Sequence, residues 1–218
     1  MRFYIRVVVS KKVIVLSSID SKYLGKIDFE QATSLQKDLW LKAKSGRNNI
    51  VLGLEHPAVI TLGRRADLTE VYQTEKNIPV VKTSRGGLAT LHSEGQLVIY
   101  PILQLSQFKL GVRDYVHTLL QTTENVFLKL NLRTYKDDLN IGLYTERGKI
   151  AFCGLEIKNG ISQHGISINI SNDLSLFENI VSCGFQKPDL DRLSHYRTDI
   201  GLCQFYELWV NEFMKLIG

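Results

Sequence analysis

Three stretches of the chain place apolar residues every three or four positions, the spacing of one helix face. The first follows Asp28, a good N-cap, and stops at Gly46. The second covers about residues 112–130, and the third runs from about Asp199 to residue 217. The pattern therefore predicts three helices. Cys203 is expected in the core, and the last helix is expected to bury Phe205, Leu208, Trp209, Phe213, Leu216 and Ile217.

Shorter runs between the helices are rich in β-branched and aromatic residues, which is typical of strands. Arg147-Gly148 and Asn159-Gly160 supply turn chemistry between the later runs. Residues 1–18 predict a further strand pair around Ser10-Lys-Lys12. Because this segment carries cations and no acid before Asp20, an organellar targeting peptide is the alternative. The internal strands are predicted at residues 50–54, 58–62, 97–103, 139–144, 149–157 and 166–170.

Runs of hairpin strands interrupted by helices, without a regular alternation of the two, are typical of an α+β domain. The 218 residues fit one domain, with enough apolar sequence (44%) to bury a core. No linker or repeat divides the chain, so residues 1–18 and 199–217 are expected to belong to the same domain. No apolar run approaches the roughly 20 residues that cross a bilayer, and no membrane association is expected.

The net charge of +5 is mild, and its Lys and Arg residues are scattered. Without a basic stripe and interleaved aromatic residues, nucleic acid is not an expected partner. A mild positive excess suits acidic protein partners. The three cysteines lack a CxxC spacing, so we expect reduced thiols and a cytoplasmic location, with an organelle as the alternative.

The segment Arg85-Gly-Gly-Leu-Ala-Thr-Leu-His92 is the strongest chemical signal in the chain. Two adjacent glycines let the backbone approach a ligand or adopt positive φ. Arg85 adds a fork of donors, and Thr90 and His92 share one face if the segment is extended. A hairpin with a glycine turn is the alternative interpretation.

Residues 85–101 resemble the signature of the lipoyl(octanoyl) transferases, which share a fold with the biotin and lipoate ligases. The resemblance spans about residues 22–185, in four blocks that follow the same order. It implies a biotin/lipoate protein ligase-like fold, in which a mixed β-sheet is flanked by helices. It also implies that residues 1–218 form one catalytic domain.

The resemblance assigns catalysis to Cys183, in Val181-Ser-Cys-Gly-Phe185, and to Lys149. In the family the cysteine carries the acyl group and the lysine lies against it. An unperturbed thiol, with a pKa of about 8.5, is only about 3% thiolate at pH 7, and a nearby ammonium favours the anion. Ser182 stands where the family commonly has proline. The residues alone leave a buried structural thiol and a solvated hairpin lysine as alternatives.

Cys153 is the competing thiol, on the same strand face as Lys149 but about 13 Å along it, and we expect it to line the pocket or the sheet. His56 is expected in a turn, and His117 and His195 at the surface. No metal site is expected, because the histidines and cysteines lack ligand spacing. The resemblance implies that the substrate-binding residues are Arg85, Gly86, Gly87, Leu88, Ala89, Thr90, Leu91, His92, Phe152, Cys153, Gly154, His164, Gly165 and Ile166.

The function implied by the resemblance is octanoyl transfer from octanoyl-acyl carrier protein to a lysine. The acceptors are lipoyl domains of 2-oxoacid dehydrogenases and the glycine-cleavage H protein. Cys183 would carry the acyl group as a thioester, and no cofactor is expected because thioester-to-amide transfer is downhill. Two alternatives stay open: an ATP-dependent lipoate or biotin ligase of the same fold, and a non-catalytic relative that binds acyl carrier protein.

Overall fold

The computed structural model describes residues 19–46, 48–72, 77–137, 140–181 and 189–218, and the backbone of strands within residues 2–15. The predicted turn at Ser10-Lys11, the predicted strand position Leu139 and the predicted nucleophile Cys183 lie outside the described residues.

Three α-helices form where the helical spacing predicts them. The side chain of Asp28 accepts hydrogen bonds from the backbone N–H groups of Glu30 and Gln31, so it caps the first helix as expected. Lys42 and Lys44 lie in the last turn of this helix, where positive charge is favourable. The helices are α1 (Phe29–Lys44), α2 (Val112–Lys129) and α3 (Leu202–Ile217).

The start of α3 and two of its side chains differ from the prediction. Asp199 pairs with Arg197 (Oδ2–Nη2 2.6 Å), and Gly201 is the N-cap. Cys203 lies at the exposed start of the helix, so the prediction that it belongs to the core is wrong. Leu216 is 43% exposed because it lies at the edge of the buried face.

An eight-stranded mixed sheet forms the centre of the fold. Its strands are β1 (Arg2–Phe3), β4 (Ile19–Lys26), β5 (Asn49–Glu55), β9 (Gln96–Ile102), β10 (Tyr135–Lys136), β11 (Gly142–Thr145), β12 (Gly148–Lys158) and β13 (Ile161–Asn169). They lie in the order β1-β4-β5-β9-β13-β12-β11-β10. Only the pairing of β4 with β5 is parallel among these described strands.

A smaller sheet lies beside the large one and carries the glycine segment. It contains β6 (Val59–Leu62), β7 (Val80–Lys82) and β8 (Ala89–His92), with β6 in the middle. Near the N-terminus, β2 (Arg6–Val9) pairs antiparallel with β3 (Lys12–Val15). The chain thus adopts strands on both sides of the predicted turn within residues 1–18.

The large sheet is covered by helices on both faces because its strands alternate two apolar surfaces. Leu52 of β5 and Tyr100 of β9 pack in the cluster beneath α1. Val51 and Ile99, one position before each, point the other way into the cluster that contains the apolar faces of α2 and α3, including Trp209. The predicted α+β class, with a mixed sheet flanked by helices, is confirmed.

Strand β13 begins at Ile161, five residues before its predicted start. The tight turn at Asn159-Gly160 leads directly into the pairing with β12, so His164 and Gly165 lie inside the strand. His164 has φ +57°, and its N–H donates to the side chain of Gln36 (2.8 Å). A Cβ at Gly165 would lie closer than 3.0 Å to the backbone of β9. A histidine followed by glycine is typical of a turn in sequence. Here the two residues lie inside a strand, and the glycine allows the close contact between β13 and β9.

Candidate active site

Thirteen of the fourteen predicted substrate-binding residues line one cavity between the two sheets, and Lys149 lines it with them. Leu91 is the exception, since it is fully buried in the apolar cluster beneath the small sheet. The cavity also has lining residues that sequence reasoning did not identify. These are Phe29, Val98, Tyr100, Ile141 and Ser167.

The glycine segment forms the wall of the cavity and is held by Arg85. The guanidinium of Arg85 donates to the carbonyl and hydroxyl oxygens of Thr61 (2.5 and 2.9 Å) and to the carbonyl of Gly86 (3.0 Å). Gly87 has φ +91°, a conformation that side chains with a Cβ rarely adopt. A Cβ at Gly63 would lie closer than 3.0 Å to the carbonyl of Gly87. The loop conformation therefore depends on glycine at two positions and on a nearly buried guanidinium.

Thr90 and His92 share one face of β8, as expected for an extended segment, and both line the cavity. The Thr90 hydroxyl is buried and has no hydrogen-bond partner among the described residues. His92 Nδ1 lies 2.6 Å from Gln96 Oε1, and because this oxygen only accepts, Nδ1 carries the proton. The other ring nitrogen of His92 is then an acceptor. The wall thus offers one hydroxyl and one neutral imidazole to a ligand.

Burial keeps the imidazoles around the cavity neutral. It lowers the pKa of His92 to about 3, with smaller contributions from His56 and Arg85. Burial also lowers the pKa of His164 to about 4, with Arg85 adding to the effect. These side chains therefore enter the site as hydrogen-bonding groups at neutral pH, without charge.

His56 lies in the connection between β5 and β6, as predicted, and is fully buried behind the cavity wall. Its Nδ1–H donates to the carbonyl of Ile27 (2.7 Å), and its Nε2 accepts from the Tyr100 hydroxyl (2.9 Å). Burial lowers its pKa to about 4. Because Tyr100 lines the cavity, His56 supports the wall from behind. His117 is exposed on α2 as predicted, and His195 is also exposed as predicted, with its ring bonded to Asp191.

Lys149 is 3% exposed, so it is not a solvated hairpin residue. Its ammonium lies over the rings of Tyr144 (5.2 Å to the centroid) and Phe152 (5.1 Å). A Cβ at Gly142 would lie closer than 3.0 Å to Lys149 Cε, so this glycine leaves the space that the lysine side chain occupies. The cavity lining therefore includes a positioned cation.

The chain that follows the predicted nucleophile segment is bound to the backbone of Lys149. The N–H of Lys149 donates to the carbonyl of Asp189 (2.8 Å), and the N–H of Asp191 donates to the carbonyl of Lys149 (3.0 Å). Before the segment, Val181 N–H donates to the carbonyl of Glu70 (2.7 Å). Residues 182–188, which include Cys183, connect these two anchored points and lie outside the described residues.

The side chain of Asp191 secures this attachment. It accepts hydrogen bonds from Thr145 (2.5 Å), Tyr196 (2.6 Å) and His195 (2.7 Å). Burial alone would raise the pKa of Asp191, but these bonds lower it below the usual range. The carboxylate is thus ionised at neutral pH and ties β11 and the following loop to the strand that bears Lys149.

Cys153 lines the cavity and also packs against the main core, as predicted. Burial raises the pKa of its thiol to about 12, although Lys149 acts in the opposite direction. Cys153 therefore stays protonated at neutral pH and is a poor nucleophile. No group of three His, Cys, Asp or Glu side chains suited to a metal ion occurs within the described residues. None of the described helices is long and apolar enough to cross a membrane.

Comparison with solved structures identifies the class of fold. The chain superimposes on lipoate-protein ligase A, in a crystal structure with bound ATP, with a TM-score of 0.73. The match covers 90% of this chain and 85% of that one at 14% sequence identity, so the likeness concerns the fold alone. The chain therefore has the architecture of the lipoate-ligase catalytic domains, as the sequence predicted.

Sequence comparisons identify the family within that class. The profile of the lipoyl protein ligase A/B catalytic domain matches residues 28–214. An octanoyltransferase from Halorhodospira halophila is 34% identical over 170 residues, which is 78% of each chain. An octanoyltransferase from Cellvibrio japonicus is 33% identical over 205 residues, covering 94% of this chain and 95% of the relative. The chain belongs to the lipoyl protein ligase A/B catalytic domain family.

Proposed function

We propose that this protein is an acyltransferase that moves an octanoyl group from octanoyl-acyl carrier protein to a lysine of a lipoyl domain. The curated relatives named octanoyltransferase support this reaction, because they match most of the chain at 33–34% identity. The proposed acceptors are the lipoyl domains of 2-oxoacid dehydrogenases and the glycine-cleavage H protein. We place the reaction in the cytoplasm.

The observation that carries the proposal is the buried ammonium of Lys149 in the substrate cavity. Cys183 precedes Asp189 by six residues, so about 20 Å of extended chain at most separates it from the backbone contact with Lys149. An ammonium within reach of a thiol favours the thiolate, which is the nucleophilic form. Cys183 and Lys149 are therefore the proposed catalytic residues.

In the first step the Cys183 thiolate attacks the carbonyl carbon of the donor thioester. A new C–S bond forms to Cys183, and the bond to the carrier sulfur breaks. The departing carrier thiolate takes a proton, for which the Lys149 ammonium is the proposed source. The Thr90 hydroxyl, which has no hydrogen-bond partner among the described residues, is the proposed donor to a substrate oxygen in the cavity.

In the second step the neutral amine of the acceptor lysine attacks the acyl-enzyme carbonyl. A C–N bond forms, the bond to Cys183 breaks, and the amide product leaves. The neutral amine of Lys149 takes the proton that the acceptor nitrogen loses, which returns both catalytic groups to their starting state. Atoms and charges balance over the two steps without ATP or any other cofactor.

The test is octanoyl transfer to an isolated lipoyl domain, followed by intact mass. Octanoyl-acyl carrier protein without nucleotide should modify the domain, whereas free octanoate with ATP and Mg²⁺ should not. Lys149→Ala should abolish transfer, and Lys22→Ala, which removes an exposed lysine from β4, serves as the control. Modification that requires free acid and ATP would instead identify a ligase. Binding of the carrier protein without any transfer would identify a non-catalytic relative.

A further inference from the structure

A second groove adjoins the substrate cavity, and His164 lines both of them. The groove runs between the outer face of α1 and the end of the β12–β13 hairpin. It leads from the wall of the cavity to the exposed surface of the protein. Its other lining residues are Thr33, Gln36, Lys37, Trp40, Leu41, Ser84, Glu156, Lys158 and Gln163.

Gln36 at this boundary has a donor that nothing in the described structure satisfies. The side chain is 2% exposed, and its Oε1 accepts from the backbone N–H of His164 (2.8 Å). This bond fixes the amide orientation and directs the Nε2 donor away from His164. Nε2 is buried and has no hydrogen-bond partner within the described residues. Because buried donors are nearly always paired, this one needs an acceptor that the described residues do not supply.

The rest of the groove combines positive charge, an aromatic face and one acceptor. Lys44 and Lys158 place their ammonium groups 5.4 and 5.8 Å from the ring centroid of Trp40. Lys37 is exposed on the same face of α1. Glu156 is the one acidic side chain among the lining residues, and its carboxylate accepts from Ser84 Oγ (2.6 Å). The Glu156 carboxylate therefore reduces the net positive charge of the groove, and its remaining lone pairs can accept a hydrogen bond from an N–H donor.

We propose that this groove binds the arm on which the donor protein presents its thioester. This inference rests on the proposed function. The ligand class is an extended chain with amide groups, a thioester at one end and a phosphate ester at the other. An amide carbonyl accepts from Gln36 Nε2, and an amide N–H donates to Glu156. Lys37 and Lys158 bind the phosphate at the outer end, while the thioester end lies past His164 in the substrate cavity.

Three small donors that contain different lengths of the arm show which part of it the groove binds. Octanoyl-phosphopantetheine carries the whole arm, octanoyl-pantetheine lacks the phosphate, and octanoyl-N-acetylcysteamine keeps the thioester and the first amide but lacks the second amide. The assay is octanoyl transfer to an isolated lipoyl domain by full-length protein, read by mass, as kcat/KM for each donor. The variants are Lys37→Ala, Lys158→Ala, the double variant and Gln36→Glu. The control is Lys42→Ala, which removes an exposed lysine of α1 that does not line the groove.

The lysine double variant should lower kcat/KM about tenfold for the phosphorylated donor, through KM, and less than twofold for the other two. Gln36→Glu keeps an oxygen for the N–H of His164 but removes the donor to the second amide of the arm. It should therefore weaken both pantetheine donors and spare octanoyl-N-acetylcysteamine, which lacks that amide. Equal losses on all three donors, or no loss on the phosphorylated one, would overturn the inference. Failure of the wild type to react with octanoyl-acyl carrier protein in the same assay would instead overturn the proposed function, and the inference with it.

Discussion

Mild acid should destabilise this protein far more than its exposed charges would suggest, because three imidazoles are buried in neutral form. His56, His92 and His164 lie on or behind one wall of the cavity, and burial lowers their pKa values to about 4, 3 and 4. In the unfolded chain each histidine returns to a pKa of about 6.5. Below pH 6.5 the unfolded state therefore binds more protons than the folded state, and the free energy of unfolding falls as the pH falls.

The expected loss of stability follows from how far the pH lies below the pKa of an unfolded histidine. At pH 5.5, one unit below the unfolded pKa, each histidine removes about 1.4 kcal/mol of stability, and the three together remove about 4 kcal/mol relative to pH 7.5. The loss continues to about pH 4, where the folded histidines begin to take up protons. This is a large share of the 5–15 kcal/mol that is typical of folded proteins.

The assay is urea unfolding at pH 5.5 and 7.5, followed by tryptophan fluorescence, since Trp209 is fully buried. His92→Gln should reduce the difference between the two pH values by about 1.4 kcal/mol, because one titrating group is removed. His117→Gln, at an exposed position of α2, should leave the difference unchanged. A wild-type difference below about 1 kcal/mol, or the same difference in His92→Gln, would refute the reasoning.

Three further predictions concern the lysine, the glycine segment and the attachment beside them. Lys149→Ala should slow iodoacetamide labelling of Cys183 at pH 7. Lys149→Arg should keep the labelling but lose transfer, because arginine does not release a proton. Equal labelling rates in the wild type and both variants would contradict the pairing of Lys149 with Cys183. Gly87→Val should lose acyl-enzyme formation while its melting temperature is mostly retained. The control is Gly46→Val, at a similar positive φ away from the cavity. A Gly87→Val protein that melts at a lower temperature but acylates normally would show that Gly87 shapes only the fold. Asp191→Ala should lower the free energy of unfolding by about 3 kcal/mol, since it leaves the Thr145, Tyr196 and His195 donors without their acceptor. A decrease below about 1 kcal/mol, measured by urea unfolding, would contradict this structural role of Asp191.

The features that were predictable from sequence depend on short-range patterns. The three helices follow from apolar spacing and from local caps such as Asp28. The glycine segment was identifiable because Gly86, Gly87, Thr90 and His92 lie within eight residues of Arg85. These local signals were sufficient to predict most of the cavity wall.

The features that were missed depend on contacts between distant parts of the chain. Gln36 meets His164 across 128 positions, and His56 meets Tyr100 across 44. Neither pairing leaves a local pattern, because tertiary packing brings the residues together. The enclosure of Lys149 between two aromatic rings depends on the register of β11 and β12. The neighbouring Arg-Gly turn left a solvated lysine open as an alternative, and the long-range packing excludes it.

The central claim is that Cys183 carries the acyl group, and peptide mapping of the acylated protein tests it most directly. The protein is incubated with octanoyl-acyl carrier protein without an acceptor or nucleotide, quenched in acid and digested. We predict one octanoyl group on the peptide that contains Cys183, which neutral hydroxylamine removes as expected of a thioester. Cys183→Ser should lose this mass, and Cys153→Ser should keep it. An octanoyl group on Cys153, or stable acylation that survives in Cys183→Ser, would contradict the account.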